Sequence, residues 1–246
     1  MRVAELPEIR SLPLFRDMLQ SSFNKLLQNA YLQVFPEGLE LVHQGEQADF
    51  LHVLIDGAAE LYSSWSSKQC TMAVVHPVGC FILAACVKDA PYLMSARTLE
   101  RSRIILIPAS DLRATFRQDS EFAVSVINEL AGAYRAVVRH AKGLKLRDSR
   151  ERVASYLLRQ SRLSDFASSY RIPVEKRLLS SYLGMTPENL SRAIRSLESE
   201  GVLIEGTRVT IYDRERLSAF VQPDPLLDGP DPEGISASLP KPQKDD

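Results

Sequence analysis

The sequence predicts an α+β chain built in three successive parts: an N-terminal roll of short strands, a long helix, and a C-terminal winged helix-turn-helix. Three observations carry this. Between Tyr31 and about Leu106 short apolar runs alternate with glycine turns, which is the texture of a jelly roll or barrel. Residues 118–146 form one uninterrupted periodic stretch without proline. Residues 176–212 then read as two short helices followed by a hairpin.

The first part begins with helical segments over residues 5–30. Leu6, Ile9, Leu12 and Leu14 precede Phe23, Leu26 and Leu27, with Pro7 and Pro13 interrupting the entry. The strand candidates are 39–42, 50–55, 58–62, 72–75 and 103–107, punctuated by Gly38, Gly45, Gly57 and Gly79. In the long helix Ala123, Val126, Leu130, Ala133, Val137, His140 and Leu144 fall at alternating steps of three and four. That spacing predicts a dimer seam made of Val126, Leu130, Ala133, Val137, His140 and Leu144; burial inside a monomer is the alternative. Asp148 or Ser149 caps the next helix, whose apolar face is Val153, Ala154, Leu157 and Leu158.

The most informative stretch is 184–195. Gly184 suits a helix-ending turn, Thr186 is an N-cap residue and Pro187 fits the first helical position. Leu190, Ile194 and Leu197 give a buried stripe, while Glu188, Ser191, Arg192 and Arg195 share the opposite face. Many surface helices carry such a face. The preceding helix from Lys176, with Leu178, Leu179, Tyr182 and Leu183 on its apolar side, makes the pair a helix-turn-helix. Val202–Ile204, the turn 205–208 and Val209–Tyr212 supply the wing. Apolar behind, with Glu and Arg in front, the pattern suits a recognition helix in a DNA major groove.

Charge is distributed unevenly behind a net −1. Residues 1–145 carry 15 basic and 15 acidic side chains, whereas 146–222 carry 13 basic against 10 acidic. A mildly basic C-terminal domain agrees with phosphate contact. The last 24 residues hold six prolines, two glycines and six acids, and are expected to be a disordered tail. The expected domains are therefore 1–116, 117–146, 147–222 and the tail 223–246. Three cysteines without a CxxC pair, and no signal-like start or apolar span, predict a cytoplasmic protein with no membrane partner. No Ser-His-Asp arrangement, GxGxxG, P-loop or HExxH motif was found, so the expectation is a non-enzyme.

The order of parts resembles the CRP/FNR superfamily of bacterial transcription regulators over roughly residues 10–220. Two motifs carry the resemblance: Leu41-x-x-x-Gly45-Glu46-x-x-Asp49-Phe50-Leu51-His52-Val53-Leu54-x-Asp56-Gly57-x-x-Glu60-Leu61, and the helix-turn-helix. It implies a cyclic-nucleotide-binding-like β-roll, a dimerisation helix, and double-stranded DNA, a second copy and RNA polymerase as partners. It also implies base reading by Glu188, Ser191 and Arg192, since a Glu can accept from cytosine N4 and an Arg can grip guanine O6 and N7, and backbone contacts from Lys176, Thr186 and Arg195. Pro187 stands where the catabolite activator has a further Arg, so the helix looks closer to the FNR branch. That branch implies a TTGAT-type inverted repeat.

For the sensor, the resemblance implies less. Cyclic-AMP members carry Gly-Glu-Leu, whose Glu holds the ribose, and an Arg-Ser pair that holds the phosphate. Here Gly79 is followed by Cys80, the pair falls near Tyr92-Leu93, and Arg97 is about five residues out of place. Those residues argue against cyclic AMP. An iron–sulfur cluster is disfavoured because no cysteine precedes Cys70 and only three exist. The Cys-x-His haem pair of carbon-monoxide sensors falls at Leu83 and Ala85. An apolar effector pocket is expected around Phe81, Ile82, Leu83, Met94 and Tyr134. A haem-dependent nitric-oxide or redox sensor, and a constitutive regulator whose β-roll binds nothing, stay open as alternatives. Cys80 and Cys86 are redox-thiol candidates, with buried structural cysteines the plainer reading. His140 is a register residue, a haem ligand or a pH switch. No metal site is expected, and the cofactor stays unknown.

Overall fold

The computed structural model describes residues 6–172, 175–229 and 243–244. They form two compact units, the described residues up to 135 and those from 136 onward, and the long helix contributes to both.

In the first unit, helices α1 (Leu6–Arg10) and α2 (Gln20–Gln28) precede strands β1 (Tyr31–Phe35), β2 (Glu40–Val42), β3 (Phe50–Asp56), β4 (Ala59–Trp65), β5 (Lys68–Val75) and β6 (Gly79–Phe81). Helix α3 (Leu83–Lys88), β7 (Ser95–Thr98), β8 (Ser102–Pro108) and α4 (Ala109–Thr115) follow. The strands build two antiparallel four-stranded sheets, ordered β1-β8-β3-β6 and β2-β7-β4-β5. Both sheets contribute to one core, with Leu51, Leu54, Ile104, Ile105 and Ile107 from one and Val42, Leu61, Val75 and Ala96 from the other. This is the predicted β-roll. Strands β1, β6 and β7 were not among the sequence candidates. Gln33 and Val34 are exposed and β6 has three residues, so neither shows clean alternation.

Helix α5 (Ser120–Leu146) starts at Asp119, a 1% exposed side chain that accepts from the Phe122 N–H at 3.1 Å and from the Leu19 N–H at 2.8 Å. Phe122 and Val126 are buried in the β-roll core, and Leu130 packs against it. Of the expected seam residues, Val137 is 65% exposed, while two others are covered by the chain itself. Val126 and Leu130 are occupied by the chain's own core, so they are not on the free side of the helix. The free stripe is Val124, Ile127, Ala131, Tyr134 and Val138, again at steps of three and four but in a different register. Two overlapping heptad sets lie on this helix, and periodicity alone does not tell which one the β-roll takes.

The second unit contains α6 (Ser149–Leu163), β9 (Ser169–Arg171), α7 (Lys176–Tyr182), α8 (Pro187–Ser196), a 3-10 turn at Glu198–Glu200, β10 (Val202–Glu205), β11 (Arg208–Ile211) and α9 (Arg214–Val221). Helix α6 opens with a full capping box: the Asp148 side chain accepts from the Glu151 N–H at 2.8 Å, and Glu151 accepts from the Asp148 N–H at 2.7 Å. The wing is the hairpin β10–β11, extended by β9 and by β12 (Gln243–Lys244) into a sheet ordered β10-β11-β9-β12. The expected tail is also corrected. Residues 225–228 form α10 (Pro225–Asp228), anchored by side-chain contacts, and 243–244 pair with β9. The remainder of that expectation, 230–242 and 245–246, lies outside the described residues. Among the described residues no helix is long and apolar enough to cross a membrane.

Candidate nucleic-acid interface and sensor region

The turn between α7 and α8 is set by Gly184, whose φ of 64° is left-handed. A Cβ there would also come within 2.7 Å of Leu144 Cδ2, so the turn packs directly on the end of α5. One helical turn earlier His140 lies against Tyr182, with ring centroids 4.8 Å apart. His140 and Leu144, expected on the dimer seam, thus meet the helix-turn-helix of their own chain. Burial first, then the Arg159 and Arg152 charges, push the His140 imidazole below its ordinary range.

Thr186 caps α8 by accepting from the Asn189 N–H at 3.2 Å, and Pro187 takes the first helical position, as the sequence predicts. Leu190 and Leu197 are fully buried and Ala193 is 4% exposed, while Ile194 is only partly covered. The opposite face presents Glu188, Arg192 and Arg195 to solvent, with Ser191 half-buried. The Ser191 hydroxyl donates to Pro187 O at 2.9 Å, and Arg192 donates to the Asn189 side chain. Hydrogen bonds from its own backbone N–H and from Thr186, with the Arg192 charge nearby, hold the Glu188 carboxyl below the usual range. Lys176 is exposed at the start of α7. All six residues expected on the DNA side therefore belong to α7, α8 or the cap between them, five exposed and Ser191 half-buried. Asn189 was missed; an Asn at the third helical position is the signal that marks it.

Two family models match the chain: a Crp-like helix-turn-helix domain over residues 151–220 and a cyclic nucleotide-binding domain over residues 32–119. The chain is a CRP/FNR-family transcription regulator. Among solved structures, it is similar to a protein of Silicibacter pomeroyi DSS-3 proposed to be a cAMP-binding regulator (27% identity, TM-score 0.55, covering 90% of this chain and 100% of that one). It shares its fold with FixK2 of Bradyrhizobium japonicum (24% identity, TM-score 0.66, 77% and 96% covered). The fold is also that of a proposed CRP/FNR-family regulator of Eubacterium rectale (18% identity, TM-score 0.67, 86% and 99% covered). A comparison with curated proteins gave no match. As a member of this family the chain is a DNA-binding transcription regulator.

A cyclic phosphate requires a cation, and in this β-roll the arginine nearest that role is engaged within the fold. Arg97, the arginine nearest in sequence to the family's phosphate-binding position, is already neutralised. Its guanidinium meets the Glu60 carboxylate at 2.5 Å and 2.7 Å and stacks over Tyr62 at 4.9 Å, while the Thr71 hydroxyl donates to Glu60 at 2.6 Å. The Cys80 thiol on β6 donates to Glu129 of α5. Burial raises the Glu129 carboxyl to about 7.

The expected effector pocket is only partly brought together. Phe81 and Leu83 are buried in the β-roll core, with Ile82 and Met94 packed against it, but Tyr134 is 70% exposed. His52 stacks on Phe81 with centroids 5.0 Å apart, and burial lowers its imidazole to about 4. Both cysteines considered as redox thiols are shifted away from the reactive thiolate. Burial and the Glu129 charge push Cys80 well up, and burial pushes Cys86 to about 11. Among the described residues no group of three His, Cys, Asp or Glu side chains is placed to hold a metal ion.

Proposed function

We propose that this regulator acts in the cytoplasm as an effector-responsive homodimer reading a TTGAT-type inverted repeat. Glu188, Ser191 and Arg192 meet base edges, and Lys176, Thr186 and Arg195 meet the phosphate backbone. The observation that carries this reading is the exposed polar face of α8, where Glu188 and Arg192 stand one helical turn apart above a buried Leu190 and Leu197. Dimerisation is supported by the free stripe on α5: Ile127 is 61% and Tyr134 70% exposed, and with Val124 and Val138 they form an apolar row that a second copy would cover. Two copies related by a two-fold axis would match an inverted repeat. Contact with RNA polymerase belongs to the same proposal.

A second reading, a constitutive regulator with a ligand-free β-roll, is favoured by the internal neutralisation of Arg97 by Glu60. Titrating a labelled TTGAT repeat and a scrambled duplex, with and without added haem, tests both. Selective, haem-independent binding by a protein without a visible chromophore supports the constitutive reading; a Soret band with haem-dependent binding supports the haem sensor. Equal affinity for repeat and scramble overturns the base-reading assignment. Ile127→Asp is expected to convert a dimer to a monomer in sedimentation while leaving the β-roll folded, and an unchanged dimer would move the interface elsewhere.

A further inference from the structure

The turn joining α5 to α6 is two residues long, and its first residue, Arg147, is held at every polar group. Its N–H donates to Gly143 O at 3.3 Å, and its carbonyl accepts from Arg152 Nη1 at 2.9 Å. Its guanidinium meets Asp228 side-on, Nη1 to Oδ1 and Nη2 to Oδ2, both at 2.6 Å. Ser155 on α6 closes the ring: its Oγ accepts from Arg147 Nη1 at 2.7 Å and donates to Asp228 Oδ1 at 2.7 Å. The fourth contact is the Asp224 N–H to Asp228 Oδ2 at 2.9 Å. Both side chains are nearly covered, Arg147 at 10% and Asp228 at 9% exposure. A bidentate, buried guanidinium–carboxylate pair with its remaining lone pairs satisfied is the strong form of an ion pair. Removing one partner leaves the other's charge buried and uncompensated.

The position of this pair in the chain gives it meaning. Asp228 lies beyond the winged helix, on α10, while Arg147 precedes α6 by two residues; both fall outside the segments that match the family models, 32–119 and 151–220. The contact's effect is on the turn that joins α6 to the end of α5, the part of α5 against which Gly184 and Tyr182 pack.

We propose that the C-terminal segment Asp224–Gly229 is an intramolecular latch, in which Asp228 closes on Arg147 and Ser155 to fix the α5–α6 turn and with it the setting of the winged helix on the end of its own α5. In its DNA consequence this rests on the proposed function. Two winged helices rigidly set on a dimer accept one spacing between half-sites, whereas loosely set ones accept several.

The test uses the full chain. Asp228→Asn keeps the size and removes the charge; Ser155→Ala removes one arm and keeps the ion pair, as a milder variant. Amide hydrogen exchange over residues 144–152 is expected to rise on the order of tenfold in Asp228→Asn and less in Ser155→Ala. Against a series of repeats with one or two base pairs inserted between half-sites, the native protein is expected to prefer one spacing sharply. Asp228→Asn should flatten that preference while binding an isolated half-site as the native protein does. Unchanged exchange together with an unchanged spacing profile overturns the latch. So does an equal loss of affinity on the half-site and on every spacing, which would mark plain destabilisation. If neither protein discriminates the repeat from scrambled DNA, the proposed DNA reading fails, and the exchange measurement alone still decides the latch.

Discussion

On α8, Glu188 and Arg192 stand one turn apart and both reach water; in the β-roll, Glu60 and Arg97 stand 2.5–2.7 Å apart with Glu60 only 2% exposed. The same two residue types serve opposite ends. An exposed charge loses no hydration until a partner arrives, so its hydrogen-bonding capacity remains available for a base edge. A buried carboxylate must be neutralised inside the fold, and its guanidinium is then no longer available for an anion. The difference explains why the α8 pair stays open to a partner while the β-roll pair is closed on itself.

The contrast is broken most strongly by Arg97→Ala. It leaves Glu60 and its Thr71 hydrogen bond buried without a cation, and is expected to destabilise the β-roll by about 3 kcal/mol. The low end for a buried pair applies because Arg97 keeps a third of its side chain in water. Denaturant unfolding followed by the Trp65 fluorescence measures it; a change below about 1 kcal/mol would mean that the pair behaves as a surface salt bridge.

Arg192→Ala sharpens the contrast from the other side. Since Arg192 is exposed, unfolding is expected to be unchanged within about 0.5 kcal/mol. Discrimination at one base pair of each half-site should fall by ~1–3 kcal/mol. Competition with duplexes carrying each of the four base pairs at every position reads this directly. A uniform loss over all sequences would make Arg192 a phosphate contact instead.

Legibility in the sequence follows the same division. Thr186, Pro187, Glu188 and Arg192 were readable because helix capping and a two-faced period are local properties, decided within ten residues. The β-roll was readable as a class from its glycine-punctuated runs, but β1, β6 and β7 were not, since pairing with distant strands made them. The α5 pattern was legible as a period but not as a register: Val126 and Leu130 went to the core because the β-roll packs on that side, a tertiary choice. The pairing of Arg147 with Asp228 spans 81 positions and leaves no periodic trace, and the acid- and proline-rich composition around Asp228 pointed to disorder instead. Arg97 and Glu60, 37 positions apart, were likewise invisible as a pair.

The smallest expected effect concerns Glu129, a charge placed between the two extremes. It is half-buried, donated to by the Cys80 thiol, and raised by burial to about 7. A carboxyl whose folded value lies above its ordinary 4.5 adds stability that is fully present below 4.5 and is lost as the pH climbs through about 7. Glu129→Gln removes that titration and keeps a hydrogen-bonding side chain facing Cys80. The native protein and the variant should therefore unfold at similar temperatures at pH 5. At pH 8 the variant should be the more stable, by on the order of 2–4 °C, the shift that ~1 kcal/mol brings in a chain of this size after allowance for solvent screening. Melting curves at the two pH values decide it. A gap that is the same at both would show that Glu129 stays ionised throughout, paired with a solvent that reaches it as freely as it reaches Glu188.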